Sequence, residues 1–573
     1  MTINMRRKKI RITTGKALMF LFFAWFILAC LVLPNLNLLK TVFFADGNFS
    51  TEPIRKLLKS KRAMKALRNS FILAPTLSIT VGFVGITLVL LTEYFDIKGA
   101  NILRLGYMTT LIYGGITLVS GYKFIYGSSG FLTKLLVQVF PNMNASWFQG
   151  YGAVLFVMTF SCTSNHMIFL RNAMRSVDFQ TVEAARNMGA GQFYILRRVV
   201  LPVLLPSLFA VTILTFITGL SAMSAPMLVG GTEFQTINPM IKTFADTVSS
   251  KDLAALLSLV LGFATMLLLF IMTQIEKRGH YMSVSKVKTK IVKQKITNPV
   301  LNVLAHVYAY VLFVIYVLPV VLIVLFSFTD SKSIGTRTLT LSSFTLENYK
   351  YLLQSLSNYR PFVVSIVYSA LAAVIVGVIV VVACRYIQKN KKARSASVLE
   401  YSLMIPWLLP TTMIALGLMM AFNVRRPYMF NQVLTGTMVI LLIGYVIIKL
   451  PFTMRMTKAA FFSLDDALED ASKNLGAGEM YTFRRVIFPV ILPTVMAIAA
   501  LNFNALISDY DMSAFLYHPL NPTLGVQIKS LTNDMNNPNG MALTFVYAVL
   551  MMIISAVVLY LVYGRGGRDN MKE

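Results

Sequence analysis

Charged residues are scarce in this chain of 573 residues, and acidic residues are the scarcest of them. Only 13% of the residues are Asp, Glu, Lys or Arg, while 56% are hydrophobic. A soluble chain of this length carries about a quarter charged residues. Several apolar runs are nearly free of charge and approach the ~20 residues needed to cross a bilayer, namely 17–33, 72–91, 253–272, 311–326 and 363–384. The composition therefore excludes an ordinary soluble protein and predicts a membrane protein.

Reactive and metal-binding residues are equally sparse. The three cysteines, Cys30, Cys162 and Cys384, lie far apart in apolar runs, and the four histidines are scattered. Neither set has the clustered spacing of a disulfide framework or a metal site. The glycine pairs Gly230–Gly231 and Gly566–Gly567 lack the Lys and Ser/Thr of a nucleotide-binding P-loop. We expect no catalytic residue, no metal ligand and no cofactor bound by this chain.

The net charge of +30 has a simpler explanation than nucleic-acid binding. Lys and Arg concentrate in short segments beside the apolar runs, as they do on the cytoplasmic side of membrane proteins. A nucleic-acid-binding protein needs a basic face on a soluble domain, and no such domain is available. The charge predicts contact with a lipid bilayer and no nucleic-acid partner. The basic N-terminal segment places the N-terminus in the cytoplasm.

The apolar runs predict an all-α membrane protein of about twelve transmembrane helices. An even number of spans puts both termini on the same side of the membrane, and the basic N-terminal segment makes that side the cytoplasm. We expect a cytoplasmic N-terminus (1–16), a first six-helix unit (17–275), a cytoplasmic linker (276–299), a second six-helix unit (300–564) and a cytoplasmic C-terminus (565–573). The expected spans are 17–43, 69–91, 101–118, 151–170, 199–227, 252–274, 302–326, 363–388, 400–421, 436–456, 486–515 and 541–563.

One basic segment conflicts with this topology. Seven Lys and Arg residues between Arg55 and Arg68 fall outside the membrane in the predicted arrangement. The segment is either a solvated loop or an amphipathic helix on the outer lipid interface, with Leu57, Leu58, Met64 and Leu67 turned inward.

An internal repeat carries the main functional information. The segment EAARNMGAGQFYILRRVVLPVLLP begins at Glu183, and DASKNLGAGEMYTFRRVIFPVILP begins at Asp470. Thirteen of 24 positions are identical without a gap, and each residue of the second copy lies 287 positions after its counterpart. Each copy connects the fourth and fifth predicted spans of its half. The repeat predicts two pseudo-symmetric units with equivalent loops.

Local chemistry predicts the shape of both loops. Asp178 and Asp465 are suited to cap a short helix by accepting hydrogen bonds from its free N–H groups. Gly189 and Gly476 tolerate the left-handed conformation that ends such a helix. Prolines then remove backbone N–H groups near the start of the next span and predict a bend there; they are Pro202, Pro206, Pro489 and Pro493.

The repeated pattern is Glu-Ala-Ala, three residues, Gly, nine residues, an aliphatic residue, one residue and Leu-Pro. It resembles the cytoplasmic loop of binding-protein-dependent ABC import permeases of the type I fold. The first copy matches it at Glu183, Ala184, Ala185, Gly189 and Pro202. The second copy has Asp470, Ala471, Ser472, Gly476 and Pro489 at these positions, so Asp replaces Glu and Ser replaces the second Ala.

The resemblance implies specific partners. In this family the loop holds a coupling helix that docks a separate ATPase, so 181–189 and 468–476 would dock two copies of a cytoplasmic ATP-binding-cassette ATPase. ATP would be bound by that partner. An extracytoplasmic solute-binding protein would deliver the cargo. The fused two-unit form most resembles permeases that import ferric iron or 2-aminoethylphosphonate, with relatives that take phosphorylated sugars.

A polar stretch late in the eleventh span is the candidate pathway. Ser508, Asp509 and Asp511 interrupt an apolar segment, and Ser221 and Ser224 lie in the matching stretch of the first half. Carboxylates near a membrane core tend to face a wet pathway. The aspartates either line an outer gate or simply end a helix at the interface.

We therefore expect a multi-pass permease of the bacterial inner membrane. It would pass a solute from a binding protein to the cytoplasm by alternating access, and ferric iron is the first choice of cargo. A phosphonate or a sugar phosphate is the alternative cargo. An ATP-independent secondary transporter is the alternative class, and transport driven by an ion gradient without an ATPase would favour it.

Overall fold

The structure is a computed structural model that describes residues 14–44, 47–174, 177–278, 293–533 and 538–564. These residues are predominantly helical and contain no strand, only three isolated bridges. Ten of their helices are long and apolar enough to cross a membrane, and two bent pairs raise the number of spans to twelve. The predicted all-α membrane fold is confirmed. The two termini and most of the linker (279–292) lie outside the described residues.

The first half contains five long helices and one bent pair. Local capping sets some of their starts; the Ser60 hydroxyl, for example, accepts a hydrogen bond from the Ala63 N–H at 3.3 Å. The helices are α1 (Ala17–Phe43), α2 (Glu52–Lys59), α3 (Lys61–Tyr94), α4 (Ala100–Leu111), α5 (Gly115–Tyr126), α6 (Tyr151–Met174), α7 (Phe179–Asn187), α8 (Gln192–Leu220), α9 (Ser224–Val229), α10 (Ile237–Ala245) and α11 (Lys251–Arg278).

The second half repeats this order of elements. Its helices are α12 (Pro299–Ser327), α13 (Glu347–Gln354), α14 (Leu356–Lys389), α15 (Arg394–Leu408), α16 (Thr411–Ala421), α17 (Met438–Phe462), α18 (Asp466–Asn474), α19 (Glu479–Ile507), α20 (Ser513–Leu516), α21 (Leu524–Asn533) and α22 (Pro538–Val562). Two short connecting helices, Phe131–Val139 and Ser331–Thr336, are left unnumbered.

Two predicted spans are broken in the structure, and two others end several residues early. The third span is broken between α4 and α5 by a bend of 112°, and the ninth is broken between α15 and α16 by 103°. The fifth and eleventh spans end at Leu220 and Ile507 rather than at 227 and 515. Hydropathy alone missed these breaks because short apolar helices on both sides of a turn score like one continuous span.

The two halves interlock through their first helices. Helix α1 lies on α16 of the second half, and α12 lies on α4 of the first half. The Tyr107 hydroxyl on α4 donates a hydrogen bond to the Ala309 carbonyl on α12 at 2.7 Å. At Gly417 a Cβ atom would lie 3.3 Å from the Pro34 carbonyl oxygen, so glycine permits the close approach of α16 to α1. Each half thus covers the broken span of the other.

Matched hydrogen bonds show that the halves fold alike even where their sequences diverge. The Ile237 N–H at the start of α10 donates to the Ser70 hydroxyl at 3.0 Å. The Leu524 N–H at the start of α21 donates to the Ser365 hydroxyl at 2.7 Å. Ile237 and Leu524 are 287 positions apart, the spacing of the repeated loops. The pseudo-symmetry therefore extends to the opposite end of the bundle.

The basic segment 55–68 is not one amphipathic helix. It divides into α2 and the first turns of α3, with a break at Ser60. Leu57 is buried as expected, but Leu58 is 64% exposed, so only part of the predicted apolar face packs on the protein. Two of its lysines have carboxylate partners: Lys56 contacts Asp252 at 3.3 Å, and Lys65 contacts Glu233 at 2.7 Å.

Candidate functional site

The two repeated loops have the same backbone architecture. Asp178 accepts a hydrogen bond from the Gln180 N–H at 2.9 Å and caps α7, and Asp465 accepts one from the Ala467 N–H at 2.9 Å and caps α18. Gly189 (φ 83°) and Gly476 (φ 80°) end these helices in the left-handed conformation. The predicted cap and stop are therefore found in both loops.

The outward faces of the loops match in chemistry. Glu183 and Asp470 are exposed, and so are Ala184 and Ala471. Three further matched pairs expose large apolar side chains: Met188 (82%) with Leu475 (88%), Phe193 (76%) with Met480 (76%), and Tyr194 (59%) with Tyr481 (62%). We call these ten residues the loop faces. Exposed apolar groups of this size mark a surface that contacts either a protein partner or the membrane.

The prolines follow a widened helical turn rather than a break. A π-helical turn spans Leu196–Val200 in α8 and Phe483–Ile487 in α19. The Leu201 N–H donates to the Leu196 carbonyl, five residues back, and Phe488 donates to Phe483 in the same way. Pro202 and Pro489 come directly after these turns. The predicted irregularity is present, yet each helix continues as one span.

An ion network holds α18 against the end of α14. Glu469 accepts from Arg385 at 2.9 Å and lies 3.3 Å from Lys473 and 3.7 Å from Lys389. Lys389 also contacts Glu479 at 3.1 Å. Burial acts to raise the pKa of Glu469, but the hydrogen bonds and charges of Arg385, Lys473 and Lys389 outweigh burial and leave the pKa below its usual value.

A cavity of about 470 Å³ lies at the seam between the halves. Its walls come from the break between α4 and α5, from α6, from the start of α9, from α22, and from the last turns of α19 with the chain that follows them. Four of the five candidate pathway residues line it: Ser224, Ser508, Asp509 and Asp511. Because α19 ends at Ile507, both aspartates lie in a turn between α19 and α20 and not within the span.

The fifth candidate, Ser221, is not part of this cavity wall. Its carbonyl accepts a hydrogen bond from the Asn238 side-chain amide at 2.6 Å. The Asn238 side-chain oxygen in turn accepts from the Thr412 hydroxyl of α16 at 2.8 Å. Ser221 therefore connects the halves through Asn238, and its predicted place in the pathway is not supported by this geometry.

Both aspartates have specific partners. Asp509 accepts a hydrogen bond from the Ser513 N–H at 3.0 Å. The Tyr445 hydroxyl and the charge of Lys449 also lie close enough to act on its carboxylate. Asp511 lines the cavity together with Ser224 of the first half, whose hydroxyl lies close enough to act on the carboxylate. Sequence reasoning missed Tyr445 and Lys449 as part of the site. The signal was a lysine in the middle of the apolar span 436–456.

The described residues contain no group of three or more His, Cys, Asp or Glu side chains that could hold a metal ion. The repetition of apolar helices in two halves, each with an equivalent loop, is typical of a membrane permease.

Comparison with known proteins identifies the family. The profile of the binding-protein-dependent transport system inner membrane component matches residues 58–278 and 373–564, and the chain belongs to this family. It is an ABC importer permease with two permease units in one chain.

Several relatives share most or part of this chain. A probable ABC transporter permease protein, y4fN, of Sinorhizobium fredii is 38% identical over 537 residues, 94% of each chain. A ferric transport system permease protein, FbpB, of Actinobacillus pleuropneumoniae is 22% identical over 92% of this chain and 75% of its own. A putative 2-aminoethylphosphonate permease protein, PhnV, of Salmonella typhimurium is 27% identical over 26% of this chain and 55% of its own.

One solved structure is also similar. It is a bacterial ABC transporter involved in the import of the acidic polysaccharide alginate, with a TM-score of 0.39 and 14% identity over 46% of this chain and 95% of the other.

Proposed function

We propose that the loop faces dock two copies of one cytoplasmic ATP-binding-cassette ATPase, which binds and hydrolyses the ATP. The observation that supports this is the chemical match of the faces: acidic with acidic at 183 and 470, and large apolar with large apolar at the three other pairs. Two different ATPases would favour two different faces. The loops then lie in the cytoplasm together with both termini, and the permease sits in the bacterial inner membrane.

The test of docking uses matched variants of both loops. Gly189→Pro and Gly476→Pro remove the N–H at each helix end, and Glu183→Arg and Asp470→Arg reverse an exposed charge. We expect a fall of about tenfold or more in the ATPase that co-purifies with inserted permease, the effect of about 1.4 kcal/mol. Glu347→Arg, an exposed carboxylate at the opposite end of the bundle, is the control. Normal co-purification and transport by the loop variants contradict the assignment.

We further propose that the seam cavity is part of the pathway and that the cargo is ferric iron, delivered by an extracytoplasmic binding protein. Two carboxylates line the cavity; Lys449 acts on Asp509 and offsets part of their charge, but no Lys or Arg side chain lines the cavity wall itself. Carboxylates in a partly dehydrated passage attract a cation and repel an anion. Two carboxylates form a weak site, which suits a cargo that must leave again. The similarity to a ferric permease over 92% of this chain agrees with this choice.

An anionic cargo, a phosphonate or a sugar phosphate, is the second candidate. A separate cavity of about 450 Å³ is lined by Lys123 together with Gln149, Gln235 and Asn533. A lysine among amides suits an anion. One experiment separates the cationic cargo from the anionic one. The same reconstituted complex is tested for uptake of labelled ferric iron and of labelled 2-aminoethylphosphonate, each supplied with a binding protein that carries it.

A further inference from the structure

The inward faces of the two loops differ as clearly as the outward faces agree. In the first loop Val182, Ala185 and Ile195 are buried, with exposures of 0%, 8% and 2%. The residues 287 positions later are Glu469, Ser472 and Thr482. Each of these three buried apolar residues of the first loop is thus replaced by a polar residue in the second loop.

The polar residues of the second loop are bonded to one another and to α14. The Ser472 and Thr482 hydroxyls are hydrogen-bonded at 2.9 Å. Glu469 receives the hydrogen bond from Arg385, whose side chain is only 11% exposed and also lies over the Phe483 ring at 5.8 Å. Glu469 itself is 18% exposed. Charge therefore fixes α18 to the last turn of α14.

In the described part of the chain, the first loop packs against the bundle through apolar side chains and the linker rather than through ion pairs. Its helix packs with buried apolar side chains, and the end of the linker between the halves lies beside it. Gln192 donates through its side-chain amide to the Lys295 carbonyl, and its side-chain oxygen accepts from the Thr297 N–H at 3.3 Å. At the position that matches Gln192, the second loop has Glu479, the residue that contacts Lys389.

We propose that Glu469 and Arg385 are positioning residues that hold the second coupling helix by charge, whereas apolar packing holds the first. The inference rests on the proposed docking of ATPases at both loops. Salt screens the more exposed contacts of this network, those of Glu469 with Lys389 (26% exposed) and Lys473 (51% exposed), and leaves apolar contacts intact. The second loop therefore loses its alignment with the ATPase as ionic strength rises, while the first loop keeps its alignment.

The test measures ATPase docking at each loop separately in the complete complex. Asn187 and Asn474 are matched, exposed residues that end α7 and α18. A cysteine at one of them, in a background without the three native cysteines, carries an environment-sensitive fluorophore. ATPase docking is titrated in nanodiscs at about 0.1 M and about 1 M NaCl, where the screening lengths are about 10 Å and 3 Å. Because the loop faces match, screening of the docking contacts themselves cancels in the comparison.

We expect apparent ATPase affinity at the second loop to fall about fivefold more than at the first between these salt concentrations. Glu469→Gln lowers docking at the second loop in low salt as well. Glu400→Gln, which breaks the Glu400–Lys458 pair of the same half, is the control for general loss of an ion pair and leaves both loops unchanged. Equal salt responses at the two loops overturn the proposal.

Two double variants separate positioning from folding. Glu469→Arg with Arg385→Glu restores the pair with reversed charges but leaves the new arginine beside Lys389 and Lys473, so it should recover part of the docking that Glu469→Arg alone loses. Glu469→Val with Arg385→Leu imitates the first loop and should make the salt responses of the two loops equal. The positioning role is wrong if the first double variant recovers no docking and the second leaves the salt responses unequal. If Gly476→Pro still abolishes docking in that case, the proposed function stands. If Gly476→Pro and Gly189→Pro also leave docking intact, the proposed function fails as well.

Discussion

The Ser224 hydroxyl and the Asp511 carboxylate line the same seam cavity within reach of each other, and these two residues occupy the same position of the internal repeat, 287 residues apart. When equivalent residues of two related units contact each other, the contact lies on the axis that relates the units. The seam cavity is therefore built around the pseudo-two-fold axis, with a hydroxyl on one side and a carboxylate on the other. Only a chain whose halves have diverged can place unlike residues there.

A position swap tests the axial contact. Asp511→Ser alone removes one of the two cavity carboxylates and should lower uptake of ferric iron about tenfold in proteoliposomes with matched protein levels, the effect of about 1.4 kcal/mol. Ser224→Asp combined with Asp511→Ser moves the carboxylate across the axis and should restore most of the uptake. If the double variant is as inactive as the single variant, the two positions are not equivalent in the pathway.

Removing both charges tests the pathway as a whole. Asp509→Asn with Asp511→Asn keeps the shape of the turn but removes the attraction for a cation, so iron uptake should fall while the ATPase still docks. Asp246→Asn, a carboxylate whose side chain is 62% exposed, is the matched control. Full uptake by the double variant, with only a small loss of stability, would show that the aspartates merely end the helix and would leave the cargo assignment without its electrostatic support.

The left-handed glycines give a graded test of loop shape. Gly189→Ala and Gly476→Ala each place a Cβ atom on a residue with φ near 80°, which costs about 1 kcal/mol. Open space surrounds both positions, so no steric clash adds to this cost. We expect ATPase docking to weaken by about fivefold, less than with the proline variants. If alanine weakens docking as much as proline does, the ATPase contacts the loop directly at this glycine.

Orientation in the membrane follows from cysteine accessibility. Single cysteines at Glu183 and Asp470 should react with an impermeant thiol reagent only from the cytoplasm, and cysteines at Arg62 and Arg425 only from outside. All four residues are exposed. Arg337 would be a poor reporter because it is only 7% exposed. External labelling of both loops would reverse the predicted topology and remove the ATPase from the proposed site.

The loops were predictable from the sequence because their shape depends on nearby residues. Asp178 caps a helix that begins one residue later, and Gly189 ends the same helix, so a short window of sequence contains the whole structure. The breaks beside Gly114 and Pro410 were missed because apolar helices on both sides hide a turn from a hydropathy average. The Ser224–Asp511 contact was beyond sequence reasoning, although both residues were candidates, because it depends on how the two halves meet.

The crossing of α1 and α12 onto the opposite halves has a consequence for biosynthesis. Tyr107 donates its hydrogen bond to a carbonyl 202 residues further along the chain. Until α12, the first helix of the second half, has been inserted, the hydroxyl of Tyr107 and the face of α4 that α12 covers are exposed within the bilayer. The first half therefore completes the packing of α4 only after α12 has been inserted beside it.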